Sequence, residues 1–392
     1  MIRYPYCQPD IRDEDRAAAD AVLKSGWLTQ GPAVLDFETA LAETLDCRHA
    51  VVVNSGTAAL HLAYHGIGLG PGRGLLTSPI TFLASANAAR YCDAPVVFAD
   101  VDPATGNITP ETVEQALADS PHPIAAITPV HLAGRPCDLA GLAAVAESRG
   151  IAIIEDACHA PSARYPDARG GTAAVGACTH SRAAVLSFHA IKHIAAGEGG
   201  AILTNDDALA ARMRRFRSHG MVREPELWQS APEADAPWYY EMEEPGWNYR
   251  LSDINCAVGR SQLRRLAAGI AERAALAALY DERLGNLGWL SLPPAPAVPG
   301  GHAWHLYPIA IDFAALGLSR GQVMRRLAAQ GVGTQVHYIP LYRQPYYAAR
   351  GHKPLPGAEA YYARTLSLPM YPGLTQAAVD EIAAAIRSLA AG

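Results

Sequence analysis

The sequence predicts an α/β fold with a large domain on a mostly parallel sheet and a smaller C-terminal α+β domain. Three observations predict it. Apolar runs of strand length alternate with helix-like segments through the first two-thirds of the 392 residues. Those runs are apolar nearly throughout, as strands buried on both faces are. The length suits one large domain with a smaller one attached, divided here at 1–253 and 254–392.

Taken in order, "AVVVNSG" (50–56) reads as a buried strand entering a turn, and "TAALHLAYHGIGLG" as the helix after it. "GLLTSPITF" is a short strand and loop, "SANAARYCD" a helix, and "APVVFADVD" a further strand. "IAAITPVHLAG" and "IAIIEDACHA" are strands ending in polar residues, with the helix "DLAGLAAVAESRG" between them. "AAVLSFHA" and "GGAILTND" close the series. Segment 217–247 reads as a long irregular excursion, and 251–284 as one long helix. Strands at "HLYPIAI" and "GTQVHYIPL" and helices near 356–366 and 375–389 make up the remainder.

Composition excludes several functions. The chain has 32 basic and 38 acidic residues, a net charge of −6, and no basic cluster of the kind a nucleic-acid surface requires. Its seven cysteines are scattered and include no CxxC pair, so reduced thiols in a cytoplasmic protein are expected. The opening "MIRYPYCQPDIRDEDR" is charged and lacks the apolar stretch of a signal peptide. No apolar run approaches the roughly 18 residues of a membrane helix. A soluble protein without membrane or nucleic-acid partners is expected.

Ligands of parallel sheets lie beyond the carboxyl ends of the strands. The polar residues after the strands, Ser55, Gly56, Thr57, Thr81, Asp156, His159 and Ser187, should therefore converge. "NSGTAAL" puts free N–H groups and hydroxyls at a helix start, which is an anion cradle. A plain N-cap at Ser55 or Thr57 explains the same stretch. Asp156 can pair with a protonated ring nitrogen or cap a helix, and Phe82 can stack on a flat ring or fill core. "GLGPGRG" follows a helix and not a strand, so it is a turn. "HAIKH" has zinc-like spacing at His189 and His193 but no HExxH glutamate, and no metal is expected. Lys192 sits among small, apolar and histidine neighbours, where desolvation favours the neutral amine a Schiff base needs. Anion cradle, carboxylate, aromatic and lysine together match the phosphate, pyridine nitrogen, ring and aldehyde of pyridoxal 5′-phosphate.

These residues stand within longer stretches: "WLTQGPAVLDFE", "NSGTAALHLA", "TSPITFLASANAARY", "PVHLAGRPCD", "SFHAIKHIAAGEGGAILTND", "GWNYRLSDINCAVGRSQL" and "VHYIPLYRQPYY". With them the chain resembles the DegT-type nucleotide-sugar aminotransferases of the aspartate aminotransferase fold, fold type I, over nearly its whole length. The resemblance implies that Lys192 forms the Schiff base and Asp156 pairs with the ring nitrogen, as the catalytic pair. It further implies that Gly56, Thr57 and Ser187 hold the phosphate, that Phe82 stacks on the ring and that His159 lies near the ring oxygen. Asn248 would reach the cofactor phosphate of the neighbouring subunit, making a homodimer with shared sites. Thr29, Gln30, His337 and Tyr338 are the candidate sugar contacts.

"PVHLAG", "EDACHA", "PWYYEM" and "HYIPLYRQPYY" most resemble the branch acting on UDP-linked 4-keto-6-deoxy-L-AltNAc-type sugars in pseudaminic acid synthesis. Ile80 and Arg182 stand where close relatives tend to carry polar and acidic residues, and the loop from Asp156 to Lys192 runs several residues longer than the pattern. The implied reaction is a ping-pong transamination with L-glutamate as donor, Lys192 moving the protons. A dehydratase of the same family typically replaces this lysine by histidine, and a non-catalytic regulator has no need of Lys192, Asp156 and Asn248 together.

Overall fold

The computed structural model describes residues 1–167, 170–230 and 236–390. Two N-terminal helices, α1 (Asp13–Ser25) and α2 (Pro32–Leu45), precede the alternating region. That region runs β1 (His49–Val53), α3 (Gly56–Gly66), β2 (Gly74–Thr77), α4 (Ala84–Tyr91), β3 (Val96–Phe98), α5 (Pro110–Ala118), β4 (Ile124–Thr128), α6 (Leu139–Glu147) and β5 (Ala152–Asp156). A small hairpin follows, β6 (Arg164–Pro166) with β7 (Thr172–Ala174), then β8 (Ala183–Ser187), β9 (Gly200–Thr204) and α7 (Asp207–Arg217).

Seven of these strands form one sheet in the order β1-β9-β8-β5-β4-β2-β3. β8, β5, β4, β2 and β3 pair in parallel, as expected for strands such as β2 whose residues are all buried. β9 runs antiparallel to both β1 and β8, because no helix separates β8 from β9 to carry the chain back across the sheet. Their connection, 188–199, is a loop pinched at its neck by Phe188 N–H donating to Gly199 O at 2.8 Å. Lys192 rides on that loop. The carboxyl ends of β1, β5 and β8 thus share one edge of the sheet, and the loop arches from the same edge.

The rest of the chain comprises β10 (Met221–Val222), β11 (Glu241–Met242), α8 (Asp253–Leu263), α9 (Leu266–Leu284), β12 (Leu290–Ser291), β13 (Tyr307–Ile311), α10 (Arg320–Ala329), α11 (Pro345–Ala348), α12 (Pro356–Arg364), β14 (Thr365–Leu368) and α13 (Gln376–Arg387). β12, β13 and β14 make a three-stranded antiparallel sheet. Residues 231–235 of the irregular 217–247 segment, and 168–169 of the long loop before Lys192, lie outside the described residues.

Two sequence expectations need correction. The single helix over 251–284 is two helices, with Arg265 between them at φ −103°, ψ 3°. Arg265 is held there by Asp15 at 2.8 Å and Glu14 at 3.1 Å of α1. The expected strand at 333–341 is extended but pairs only at Gln335 with Ser367, and Leu341 N–H turns away to Pro79 O. Pro340, lacking an N–H, cannot extend a ladder there. The third strand of the small sheet is instead β14, directly after α12.

Two cores lie side by side. The larger holds the seven-stranded sheet together with Leu251, Cys256, Leu263 and Leu266, and the smaller gathers Tyr4 of the N-terminal arm, Leu276 and later residues of α9, the second sheet and α13. α8 lies so close to α2 that a Cβ at Gly259 would stand 2.6 Å from the Phe37 ring. We therefore propose dividing the chain after α8 and not at 253/254. Among the described residues, no helix is long and apolar enough to cross a membrane.

Candidate active site

β5 delivers Asp156 to the sheet edge, where it is 7% exposed. It caps no helix. Its Oδ2 accepts from the Ser85 hydroxyl at 2.7 Å and its Oδ1 from Cys158 N–H at 3.3 Å. Ser85, on α4, lies 2.7 Å from the Thr81 hydroxyl, and the Tyr64 hydroxyl lies 3.0 Å from Ser85 O and from Thr128 Oγ1. The carboxylate is thus fixed in direction by a chain of buried hydroxyls. Ser85 was missed in the sequence, although a serine four residues after Thr81 on an otherwise apolar helix face is a visible signal.

The first turn of α3 meets the end of β8. Ser55 is the N-cap, its Oγ accepting from Ala58 N–H at 3.0 Å. The capping explanation therefore holds for Ser55 and not for Thr57. It leaves the N–H groups of Gly56 and Thr57 unused within the helix, as first-turn donors always are. A Cβ at Gly56 would stand 3.0 Å from Ser187 Cβ and 3.3 Å from Ser187 Oγ, so the Ser187 hydroxyl lies against this helix start. Backbone donors, a hydroxyl and the positive end of a helix dipole form a donor set that fits a phosphate.

Only three lysines occur in the whole chain, Lys24, Lys192 and Lys353. Lys24 pairs with Asp20 on the surface of α1, and Lys353 is exposed. Lys192 is half-buried on the β8–β9 loop, its N–H bonded to His189 O at 2.8 Å. Burial lowers its ammonium below the usual lysine range, with Cys158 and Asp156 pulling weakly the other way. "HAIKH" is therefore a turned loop and not a helix.

His159 is buried behind the same edge. Its Nε2 lies 3.5 Å from the Tyr338 hydroxyl, while its Nδ1 has no partner among the described residues. Burial, and then the Lys192 and His337 charges, hold its pKa well below the ordinary histidine value, so the ring is neutral. His305 packs on it with ring centroids 4.3 Å apart, and His193 Nε2 lies 3.2 Å from His159 O. His305 carried no sequence signal, since it arrives from the smaller half of the chain.

The remaining candidates are dispersed. Phe82 is 59% exposed at the rim, its ring 6.4 Å from that of Tyr338. His337 is buried, with Nδ1 2.8 Å from the Ser367 hydroxyl, so its ring is already engaged. Asn248 is exposed, its carbonyl accepting from Asn54 Nδ2 at 3.3 Å. Thr29 and Gln30 are exposed too, and the bonds fixing their loop run to Ser252 and Asp253 at the start of α8, away from Asp156. Asp156, Ser187, the α3 start, Lys192, His159 and Tyr338 are thus gathered within the chain, whereas Thr29, Gln30 and Asn248 face outward.

The model of the DegT/DnrJ/EryC1/StrS aminotransferase family matches residues 9–387. The spore coat polysaccharide biosynthesis protein SpsC of Bacillus subtilis (strain 168) is 38% identical over 99% of this chain and 97% of its own. Among solved structures, Helicobacter pylori PseC, an aminotransferase involved in the biosynthesis of pseudoaminic acid, superposes with a TM-score of 0.89 at 30% identity, covering 98% of each chain. S. venezuelae DesV, solved in complex with a ketimine intermediate, superposes at 0.85 with 33% identity, covering 100% of this chain and 99% of its own.

Proposed function

The chain belongs to the DegT/DnrJ/EryC1/StrS aminotransferase family, and we propose that it transfers an amino group from L-glutamate to the C4 ketone of a UDP-linked 4-keto-6-deoxy-N-acetylhexosamine of the pseudaminic acid type. As a family member it is a sugar aminotransferase that uses pyridoxal 5′-phosphate. The observation that carries the site reading is Lys192, the one lysine of three at the strand ends, half-buried beside Asp156. The sugar is supported by likeness to PseC over 98% of both chains.

Bound there, pyridoxal 5′-phosphate supplies the aldehyde that captures the amino group and a ring that withdraws electrons from the reacting carbon. The chain's residues do the rest. The Gly56 and Thr57 N–H groups and the Ser187 hydroxyl bind the phosphate. Asp156, aimed by Ser85, keeps the ring nitrogen protonated, since an adjacent carboxylate favours the charged form. Phe82 covers one ring face, and neutral His159 donates a single hydrogen bond near the ring oxygen. Lys192, tilted toward the free amine, removes the proton from the donor's α-carbon and returns it two atoms away, at the carbon on the far side of the transferred nitrogen. The same lysine runs the reverse shift once 2-oxoglutarate has left and the keto sugar has entered.

The active unit in this reading is a homodimer, in which Asn248 of one protomer serves the phosphate held by its partner. Exposed apolar side chains at the rim, Phe82, Leu83 and Tyr91, call for such cover. Thr29, Gln30, His337 and Tyr338 are the proposed sugar contacts. We place the enzyme in the cytoplasm, in keeping with seven free cysteines.

A second reading, amination of a different keto sugar nucleotide, is favoured by the higher identity to the spore coat polysaccharide protein. A coupled assay with glutamate against a panel of 4-keto and 3-keto nucleotide sugars separates the two. The first reading requires the UDP-linked 4-keto-6-deoxy-N-acetylhexosamine to give the highest kcat/KM. Preference for any other sugar by tenfold or more overturns it.

A further inference from the structure

Arg273 lies on α9 at the seam between the two cores and is 3% exposed. Other arginines withdrawn from water have partners: Arg217 meets Glu38, Arg265 meets Asp15 at 2.8 Å, and Arg135 reaches the carbonyls of Pro294 and Ala295. Arg273 has none. Among the described residues its guanidinium makes no hydrogen bond and no ion pair, and its Nε is buried without a partner. An uncompensated buried cation is among the costliest features a fold can carry.

The groups facing it do not relieve that cost. Lys192 is itself cationic or neutral, and His193 and His305 are held neutral by burial. Cys7 donates its thiol to Ile191 O at 3.3 Å, and burial pushes that thiol up. Two acids line the same space: Asp10 pairs with Arg12 at 2.9 Å, and Glu272 is exposed and makes no ion pair with Arg273. Burial, offset only in part by Cys7, Glu272 and Asp10, brings the Arg273 guanidinium down to about 10, leaving it charged at neutral pH.

Beside it is a narrow cleft of about 30 Å³, lined by Gln8, Asp10, Arg12, Lys192, Glu272 and Arg273 among others. Roughly 10–15 Å³ of such space holds one water, so there is room for two or three water-sized particles and not for a five-carbon dicarboxylate. We propose that this cleft binds a small monovalent anion of the halide class, with Arg273 as its principal cation. The anion neutralises the guanidinium and fastens three segments together: the N-terminal arm at Gln8, the loop that carries Lys192, and α9. The site is separate from the phosphate cradle, which lies at the start of α3.

Bromide is the direct probe. In crystals of the holoenzyme grown with bromide, anomalous scattering should show a peak within hydrogen-bond distance of the Arg273 guanidinium. In solution, replacing a bulky sulfonate by chloride at constant ionic strength should raise Tm by about 2 °C or more. In Arg273→Met that chloride dependence should vanish. A peak at Arg273 together with a chloride response in the unsubstituted enzyme supports the site, even if the variant fails to fold. Absence of the bromide peak, or equal Tm in both salts, overturns it, leaving water as the occupant.

Discussion

The Ser85 hydroxyl sits 2.7 Å from Asp156 Oδ2 and makes α4, three strands away in sequence, the element that aims the carboxylate we assign to the ring nitrogen. A hydrogen bond to a charged group contributes roughly 1.5–3 kcal/mol. Ser85→Ala leaves that oxygen buried without its donor. We expect kcat/KM to fall by about ten- to a hundredfold with the cofactor still bound, as read by steady-state kinetics and the visible absorption of the bound cofactor. An unchanged kcat/KM shows that Asp156 is held well enough by Cys158 N–H.

Gly56→Ala tests the phosphate cradle by crowding. The added methyl carbon would stand 3.0 Å from Ser187 Cβ, tighter than ordinary contact, although alanine is the better helix former by about 1 kcal/mol. The two effects separate in different measurements. Thermal stability of the cofactor-free protein should be nearly unchanged or slightly raised, while affinity for pyridoxal 5′-phosphate should drop roughly tenfold. Unaltered affinity would show that Ser187 and the α3 start do not form one site.

Acid should weaken the fold around the site. His159, His193, His305 and His337 are neutral in the folded chain, the first three with pKa values well below the ordinary 6.5 and His337 pushed down to about 3, chiefly by burial. Once unfolded, each protonates near 6.5. Unfolding therefore takes up protons below that pH, and stability present above about 6.5 is lost as pH falls toward the folded values. Each histidine contributes up to about 1.4 kcal/mol per pH unit in that window. Denaturant titrations at pH 7 and pH 5 should show lower stability at pH 5, with the midpoint shifted and the m-value retained. Equal stability at both values contradicts the neutral cluster.

Asn248 tests the shared site. Its side chain faces outward in the single chain, and we assign it to the partner's cofactor phosphate. Asn248→Ala should weaken cofactor retention roughly ten- to a hundredfold, the loss expected for one charge-assisted bond. Mixing Asn248→Ala with Lys192→Ala subunits should restore one complete site per heterodimer. With subunit exchange verified, activity that stays absent rules out the cross-subunit role.

The large sheet was legible because parallel strands buried on both faces leave continuous apolar runs, and polar residues at their ends mark the ligand edge. Asp156 and Ser187 could be placed at that edge on those grounds, Lys192 was singled out by its apolar setting, and Ser55 was readable as a cap. Features fixed by tertiary contact were not. The break at Arg265 depends on acids of α1 some 250 positions away, and nothing local in an alanine-rich helix announces it. The segment 333–341 has strand-like composition, yet β14 outcompetes it for β13, pairing from Tyr307 with Leu368 to Ala310 with Thr365. His305 and Arg273 became visible only when the two cores were brought together.

The central claim is that Lys192 holds the cofactor, and the chain's three lysines make it directly testable. Holoenzyme reduced with borohydride, digested and mapped by mass spectrometry should carry the pyridoxyl label on the Lys192 peptide and on neither the Lys24 nor the Lys353 peptide. A label on Lys24 or Lys353, or a holoenzyme whose Lys192 peptide stays unlabelled, contradicts the account.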